Sequence, residues 1–141
     1  VHAECGHVIG IIPEAIRDMG IAYEAADELI VTRTMGERKA AMHARSEAFV
    51  VLPGGFGTLE EFLEILTLRQ LKYHEKAIVL LNVNSFFDPL IELFAHLYTE
   101  RFARAEHQAL YHVAGTAAAA LEYIDSYRPV SQPDKWFPST R

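Results

Sequence analysis

The chain has 141 residues, half of them hydrophobic, a formal net charge of −6 and one cysteine. That length fits one domain with a two- or three-layer core, the acidic balance excludes a general nucleic-acid binder, and one cysteine excludes an internal disulfide framework. No apolar run approaches the ~20 residues that span a bilayer and no secretion signal opens the chain, so a soluble cytoplasmic protein is expected, with Cys5 as a small buried residue. The chain starts at Val1, just ahead of a strand-like run, and reads as a fragment.

In chain order, His7 to Ile12 is a β-branched run that predicts a strand, and Pro13 then opens a short helix to about Met19. Glu28 to Thr32 predicts a second strand, followed by a helix over Met35 to Ser46. Ala48 to Leu52 is apolar without alternation, as in a strand covered on both faces of a parallel sheet. From Thr58 to about Leu71 apolar side chains recur at helical spacing, with Glu60, Glu61 and Glu64 on the other side. Lys76 to Val83 predicts another buried strand. Asp88 then caps a helix with Pro89 at its first position, running to about Phe102. Leu110 to Val113 predicts a last strand, and Thr116 caps an alanine-rich helix through Tyr127. Arg128 to Arg141 reads as an extended tail. Strands alternating with helices predict an α/β fold with a parallel sheet between helices, one domain over residues 1–127.

In such a sheet each helix begins at the carboxyl edge of the preceding strand, where ligands bind. The first turns carrying Arg38 and Glu61 are therefore expected on one rim. Between strand and helix, glycines at 54, 55 and 57 permit positive φ and leave N–H groups bare, so a phosphate can sit at the helix N-terminus. Thr58-x-x-Glu61 also fits a capping box, which needs no ligand at all, and Arg38 alone fits a solvated helix residue.

Pro53-Gly54-Gly55-Phe56-Gly57-Thr58-Leu59-Glu60-Glu61, with Arg38-Lys39, resembles the paired motifs of the Lonely Guy family, once labelled lysine decarboxylases. Gly10 to Pro13 and Leu80 to Val83 extend the likeness. The resemblance implies a Rossmann-like three-layer αβα fold, homodimeric, without cofactor. It implies hydrolysis of the N-glycosidic bond of N6-substituted adenosine monophosphates to free base and ribose 5-phosphate. By position, Arg38 and Glu61 become the catalytic pair. Met35, Lys39, Gly54, Gly55, Phe56, Gly57, Thr58, Glu60 and Thr67 then contact substrate. The chain departs from the family at Gly36, where relatives often carry histidine, and at Gly20, where some carry a glutamate. The family ordinarily opens about seventy residues earlier, so the first strand and helix are expected to be missing.

Glycoside cleavage passes through an oxocarbenium-like sugar, which gives Glu61 its role as the carboxylate beneath the anomeric carbon and Arg38 its role toward phosphate or ribose oxygens. The acid for the leaving base stays open. A non-catalytic nucleotide carrier of the same fold is the alternative. Lysine decarboxylation fits poorly, because pyridoxal phosphate chemistry needs a buried lysine, while Lys39, Lys72 and Lys76 sit at element ends or loops. No metal is expected: His43 and Glu47 lack a third ligand nearby, and His74 reads as part of a polar loop. Phe86, Phe87 and Tyr98 to Phe102 read as core or dimer packing.

Overall fold

Alternating apolar strands and helices give an α/β chain, seen in a computed structural model that describes residues 1–129. Residues 1–46 and the residues from Glu47 onward form two compact units. None of the described helices is long and apolar enough to cross a membrane.

The first unit pairs β1 (Ile9–Pro13) with β2 (Glu28–Thr32) in parallel, Ile11 opposite Ile30. Pro13 ends β1 instead of opening the helix, so α1 is only Glu14–Arg17. α2 (Met35–Arg45) starts at a reciprocal cap. Thr34 Oγ1 accepts from the Glu37 N–H at 3.1 Å, and the Glu37 carboxylate accepts from the Arg33 N–H at 2.8 Å. That is a capping box whose carboxylate reaches one residue further back than usual, to the residue before the N-cap, and it fixes where the turn bearing Arg38 and Lys39 begins. None of the buried large apolar side chains of the described residues belongs to this unit. It is held by the β1–β2 ladder and by polar contacts, among them the two-pronged Arg45–Glu28 pair at 3.0 and 2.6 Å. Cys5, expected inside, is exposed and sits at φ 57°, in a short N-terminal turn that has no core to enter.

The Arg45 hydrogen bonds hold the Glu28 carboxyl below its ordinary value of 4.5. A carboxylate depressed in the folded state stabilises it above the ordinary value, and that contribution fades as pH falls through the lowered one. Acidification below about pH 4.5 is therefore expected to loosen β2 and α2, and Glu28→Gln to remove that part of the acid sensitivity. Amide exchange of residues 28–45 against pH checks it, and identical acid profiles for the two proteins would count against the pair's role.

The second unit carries the core. β3 (Ala48–Val51), β4 (Ala77–Leu81) and β5 (His112–Ala114) form a parallel sheet in the order β3-β4-β5. β4 is central and all five of its residues are buried, as its unalternating sequence requires. Its alternate residues serve two layers. Ile78 and Leu80 pack with Val51 against Phe62 and Ile65 of α3 (Phe56–Gln70) and Phe94 of α4 (Asp88–Thr99). Val79 and Leu81 face Ala120 of α5 (Ala117–Ser126) on the other side. This unit is thus a three-layer α/β/α sandwich. β3 is not covered on both faces as its sequence suggests: it is an edge strand, and Val50 is exposed.

Polar side chains set the turns between these layers. Asn82 bonds the Asp88 carboxylate and the Phe87 N–H, each at 2.7 Å, so Phe87 is the N-cap of α4 and Asp88 its first residue, one position from expectation. Thr116 caps α5 as its sequence predicts. His74 is more than a polar loop residue: its Nδ1 accepts from the Lys76 N–H at 3.2 Å, which leaves Nε2–H to donate to the Ile65 carbonyl at 3.0 Å. Phe87 is buried, whereas Phe86 and Phe102 are exposed. Of the C-terminal tail, residues 130–141 lie outside the described residues.

Candidate active site

The glycine loop follows β3 and leads into α3, and the helix starts earlier than the sequence suggests. Gly55 is its N-cap, without a side-chain cap bond, and Phe56 is its first residue. Thr58 and Glu61 are therefore the third and sixth residues of α3. They cannot form the capping box, which needs threonine at the N-cap itself. The first intrahelical bond is Leu59 N–H to the Gly55 carbonyl at 3.2 Å. The N–H groups of Phe56, Gly57 and Thr58 thus precede the helical ladder, and among the described residues none is bonded to a side-chain or backbone acceptor. Three such donors lie at the positive end of a 15-residue helix, a geometry that suits an anion.

The glycines have a different purpose from the one expected. Gly20 alone among the described glycines has a positive φ, so glycines 54, 55 and 57 do not serve unusual backbone angles. A Cβ on Gly54 would stand 2.2 Å from Thr58 Oγ1, so this position is closed by the threonine that folds back over it. At Gly55 and Gly57 a Cβ would meet nothing within 4 Å. Among the described residues neither backbone geometry nor packing demands glycine there. What they provide is a bare approach to the N–H groups. Phe56 between them is 93 % exposed.

Glu61 is half-buried on α3 and Glu60 exposed, their side chains about 100° apart around the axis. Thr67 lies six residues beyond Glu61, ~9 Å along the helix, on the exposed stripe of Glu60 and Leu63. The fold therefore groups Gly54 to Thr58 with Glu60 and Glu61 and sets Thr67 apart from them. In the first unit, Met35 is exposed at the start of α2, while Arg38 and Lys39 are half-buried.

Arg38 has an anchor that no motif announces. Its Nε donates to the Ile11 carbonyl at 3.0 Å. The Glu28 N–H bonds the Val8 carbonyl, so the even-numbered residues of β1 face β2 and Ile11 faces the open edge. The bond therefore holds the guanidinium against that edge by its inner nitrogen. His43 is half-buried near the end of α2, Glu47 lies beyond it, and among the described residues no group of three potential metal ligands converges.

Residues 1–124 match a family model described as "Possible lysine decarboxylase". The chain is 37 % identical over 131 residues to cytokinin riboside 5′-monophosphate phosphoribohydrolase LOG5 of Arabidopsis thaliana, covering 93 % of this chain and 58 % of that protein. LOG2 of the same plant is 38 % identical over 129 residues, 92 % of this chain and 61 % of its own length. The phosphoribohydrolase LOG of Oryza sativa subsp. japonica is 37 % identical over 129 residues, 92 % and 53 % respectively. The chain spans about half the length of the curated relatives it matches. With the family model covering most of the chain and the glycine motif complete, the chain belongs to the Lonely Guy family, the one whose model carries the lysine decarboxylase description.

Proposed function

We propose that the whole protein hydrolyses the N-glycosidic bond of an adenosine 5′-monophosphate, N6-substituted or plain, releasing free base and ribose 5-phosphate. The observation that carries this reading is the bare N-terminus of α3, with three uncapped N–H groups beside two glycines that nothing among the described residues requires. The phosphate sits on these donors with the Thr58 hydroxyl. Glu61 faces the anomeric carbon one turn further on. As the C1′–N9 bond breaks, its electron pair leaves with the base, which takes up a proton, and water oxygen bonds C1′. The Glu61 carboxylate stabilises the sugar cation or activates that water. Arg38, held by its Nε, supplies its outer nitrogens to phosphate or ribose oxygens. Met35, Lys39, Glu60 and Thr67 complete the proposed substrate contacts. The same reading carries a homodimer in the cytoplasm and no cofactor.

The relatives' printed names describe phosphoribohydrolases, which supports this reading over a decarboxylase. Among the described lysines, Lys72 is exposed and Lys39 and Lys76 are half-buried, so none offers the buried amine that a pyridoxal Schiff base needs.

Two glycine substitutions test the loop. Gly57→Ala adds a helix-favouring methyl into open space, so stability should rise by up to about 1 kcal/mol while AMP affinity falls about tenfold or more as the methyl meets the phosphate. Gly54→Ala drives its methyl into Thr58 and should cost about 1–3 kcal/mol of stability as well as binding. Thermal melts and AMP titrations of both variants measure this. A Gly57→Ala protein that binds AMP as tightly as the parent would mean the phosphate lies elsewhere.

A further inference from the structure

The far edge of the second unit's sheet carries a cavity that the proposed reaction does not use. β5 is the last strand in the order β3-β4-β5. The Asn82 N–H bonds the Ala114 carbonyl at 2.8 Å, so Ala114 is turned toward β4, and Val113, the next residue in the alternation, turns its N–H and C=O outward. Between that edge and α4 lies a cavity of about 280 Å³, lined by Ile91, Ala95, Tyr98, Gln108, Tyr111, His112 and Val113, with the His112 ring stacked on Tyr123 of α5 at 4.0 Å. The two tyrosine hydroxyls bond each other, and partial burial raises both above the ordinary phenol range, so both stay protonated at neutral pH. No Asp, Glu, Lys or Arg lines the cavity.

These features define a ligand. With no Asp, Glu, Lys or Arg in the wall and His112 its one titratable group besides the tyrosines, the lining favours a neutral ligand over a nucleotide. The volume falls just under the ~300–1,000 Å³ of clefts for drug-sized molecules, which fits a single heterocycle. One strand residue, Val113, offers its N–H donor and C=O acceptor side by side, while Ile91, Ala95 and the Val113 side chain give an apolar wall. A three-residue strand with a single outward peptide offers too few hydrogen bonds to hold an extended polypeptide. We propose that this cavity binds a neutral planar heterocycle of the purine class, its donor–acceptor edge on the Val113 peptide and a ring nitrogen on the tyrosine hydroxyls. Choosing the purine class rests on the proposed reaction, whose released base has that chemistry.

The test uses the whole protein carrying Glu61→Gln, in which no turnover confuses binding. Adenine and N6-isopentenyladenine are titrated by calorimetry, with AMP measured in parallel. Val113→Pro replaces the outward N–H and the valine side chain with a ring, a change that edge strands tolerate, and should weaken base binding at least about tenfold without changing AMP affinity. Ala95→Trp fills the cavity from the surface of α4 and should abolish base binding even if the proline variant fails to fold. Base binding that is absent, unchanged in a folded Val113→Pro protein, unchanged in Ala95→Trp, or competitive with AMP would overturn the proposal, as would binding of an extended peptide in place of the base. Because the readout needs no catalysis, a failure here is separate from a failure of the proposed hydrolysis.

Discussion

Glu61→Gln is expected to lower release of free base by about 10³-fold or more while nucleotide affinity stays within about threefold. The reason lies in when the charge appears. Phosphate, ribose and base are bound before reaction, but the positive charge on the sugar develops only as the glycosidic bond breaks, so a carboxylate facing it stabilises the transition state alone. An amide of the same shape keeps the packing and loses that charge. The effect should therefore fall on kcat and leave KM nearly unchanged. The early start of α3 adds a control: Glu61 is the sixth residue of the helix, outside its N-cap, and an amide of the same shape keeps its place on α3, so the loss of activity should far exceed any fall in melting temperature. Glu60→Gln alters a proposed substrate contact and not the carboxylate facing the sugar, so it should raise KM while changing kcat by less than about threefold. Loss of activity accompanied by an equal loss of stability would return Glu61 to a structural role.

The largest effect on stability is expected at Arg69. It is only 2 % exposed, yet its contacts are neutral oxygens and a ring. Nη1 donates to the Leu110 carbonyl at 2.7 Å, Nη2 donates to the Tyr127 hydroxyl at 2.6 Å, and the guanidinium lies 5.3 Å from the Tyr127 ring centre. One cation thus ties the end of α3 to the turn ahead of β5 and to the residue that ends α5, where Tyr123, beside Tyr127, stacks on His112 of β5 at 4.0 Å. The site at the C-terminal end of α3 suits a positive charge without a carboxylate. Arg69→Met fills the volume but strands the buried Leu110 carbonyl and releases Tyr127. The expected cost is about 3 kcal/mol, read as a fall in Tm of roughly 10 °C with no change in the folded far-UV spectrum. A loss below about 0.5 kcal/mol in urea titration would show that the carbonyl and hydroxyl find other partners.

These two residues mark what local sequence does and does not carry. The glycine loop that leads into a helix was legible because its motif is contiguous, and the structure places Glu61 on that helix. The start of that helix was not, since glycine at an N-cap leaves no side-chain signature, and the threonine two positions inside it offered a false one. The same pattern, Thr34-x-x-Glu37, forms the real capping box, and only the structure distinguishes the two. β4 was legible as a buried strand because burial on both faces removes alternation. β3 has the same composition but lies on an edge, and strand order is set by pairing rather than by the strand's own residues. Arg69 was invisible because its partners lie 41 and 58 positions away. The Ile11 carbonyl that holds Arg38 was invisible for a related reason: a backbone acceptor has no residue type.

The central claim is that the bare helix start and Glu61 serve cleavage of a nucleotide, and product analysis tests it most directly. The whole protein is incubated with N6-isopentenyl-AMP and with AMP, and free base and ribose 5-phosphate are quantified by chromatography beside the Glu61→Gln variant. Equimolar base and ribose 5-phosphate from the parent, with neither from a variant that still binds nucleotide, is the predicted result. Tight nucleotide binding with no base from either protein would contradict it and favour a carrier, and equal base release from both would remove Glu61 from the chemistry.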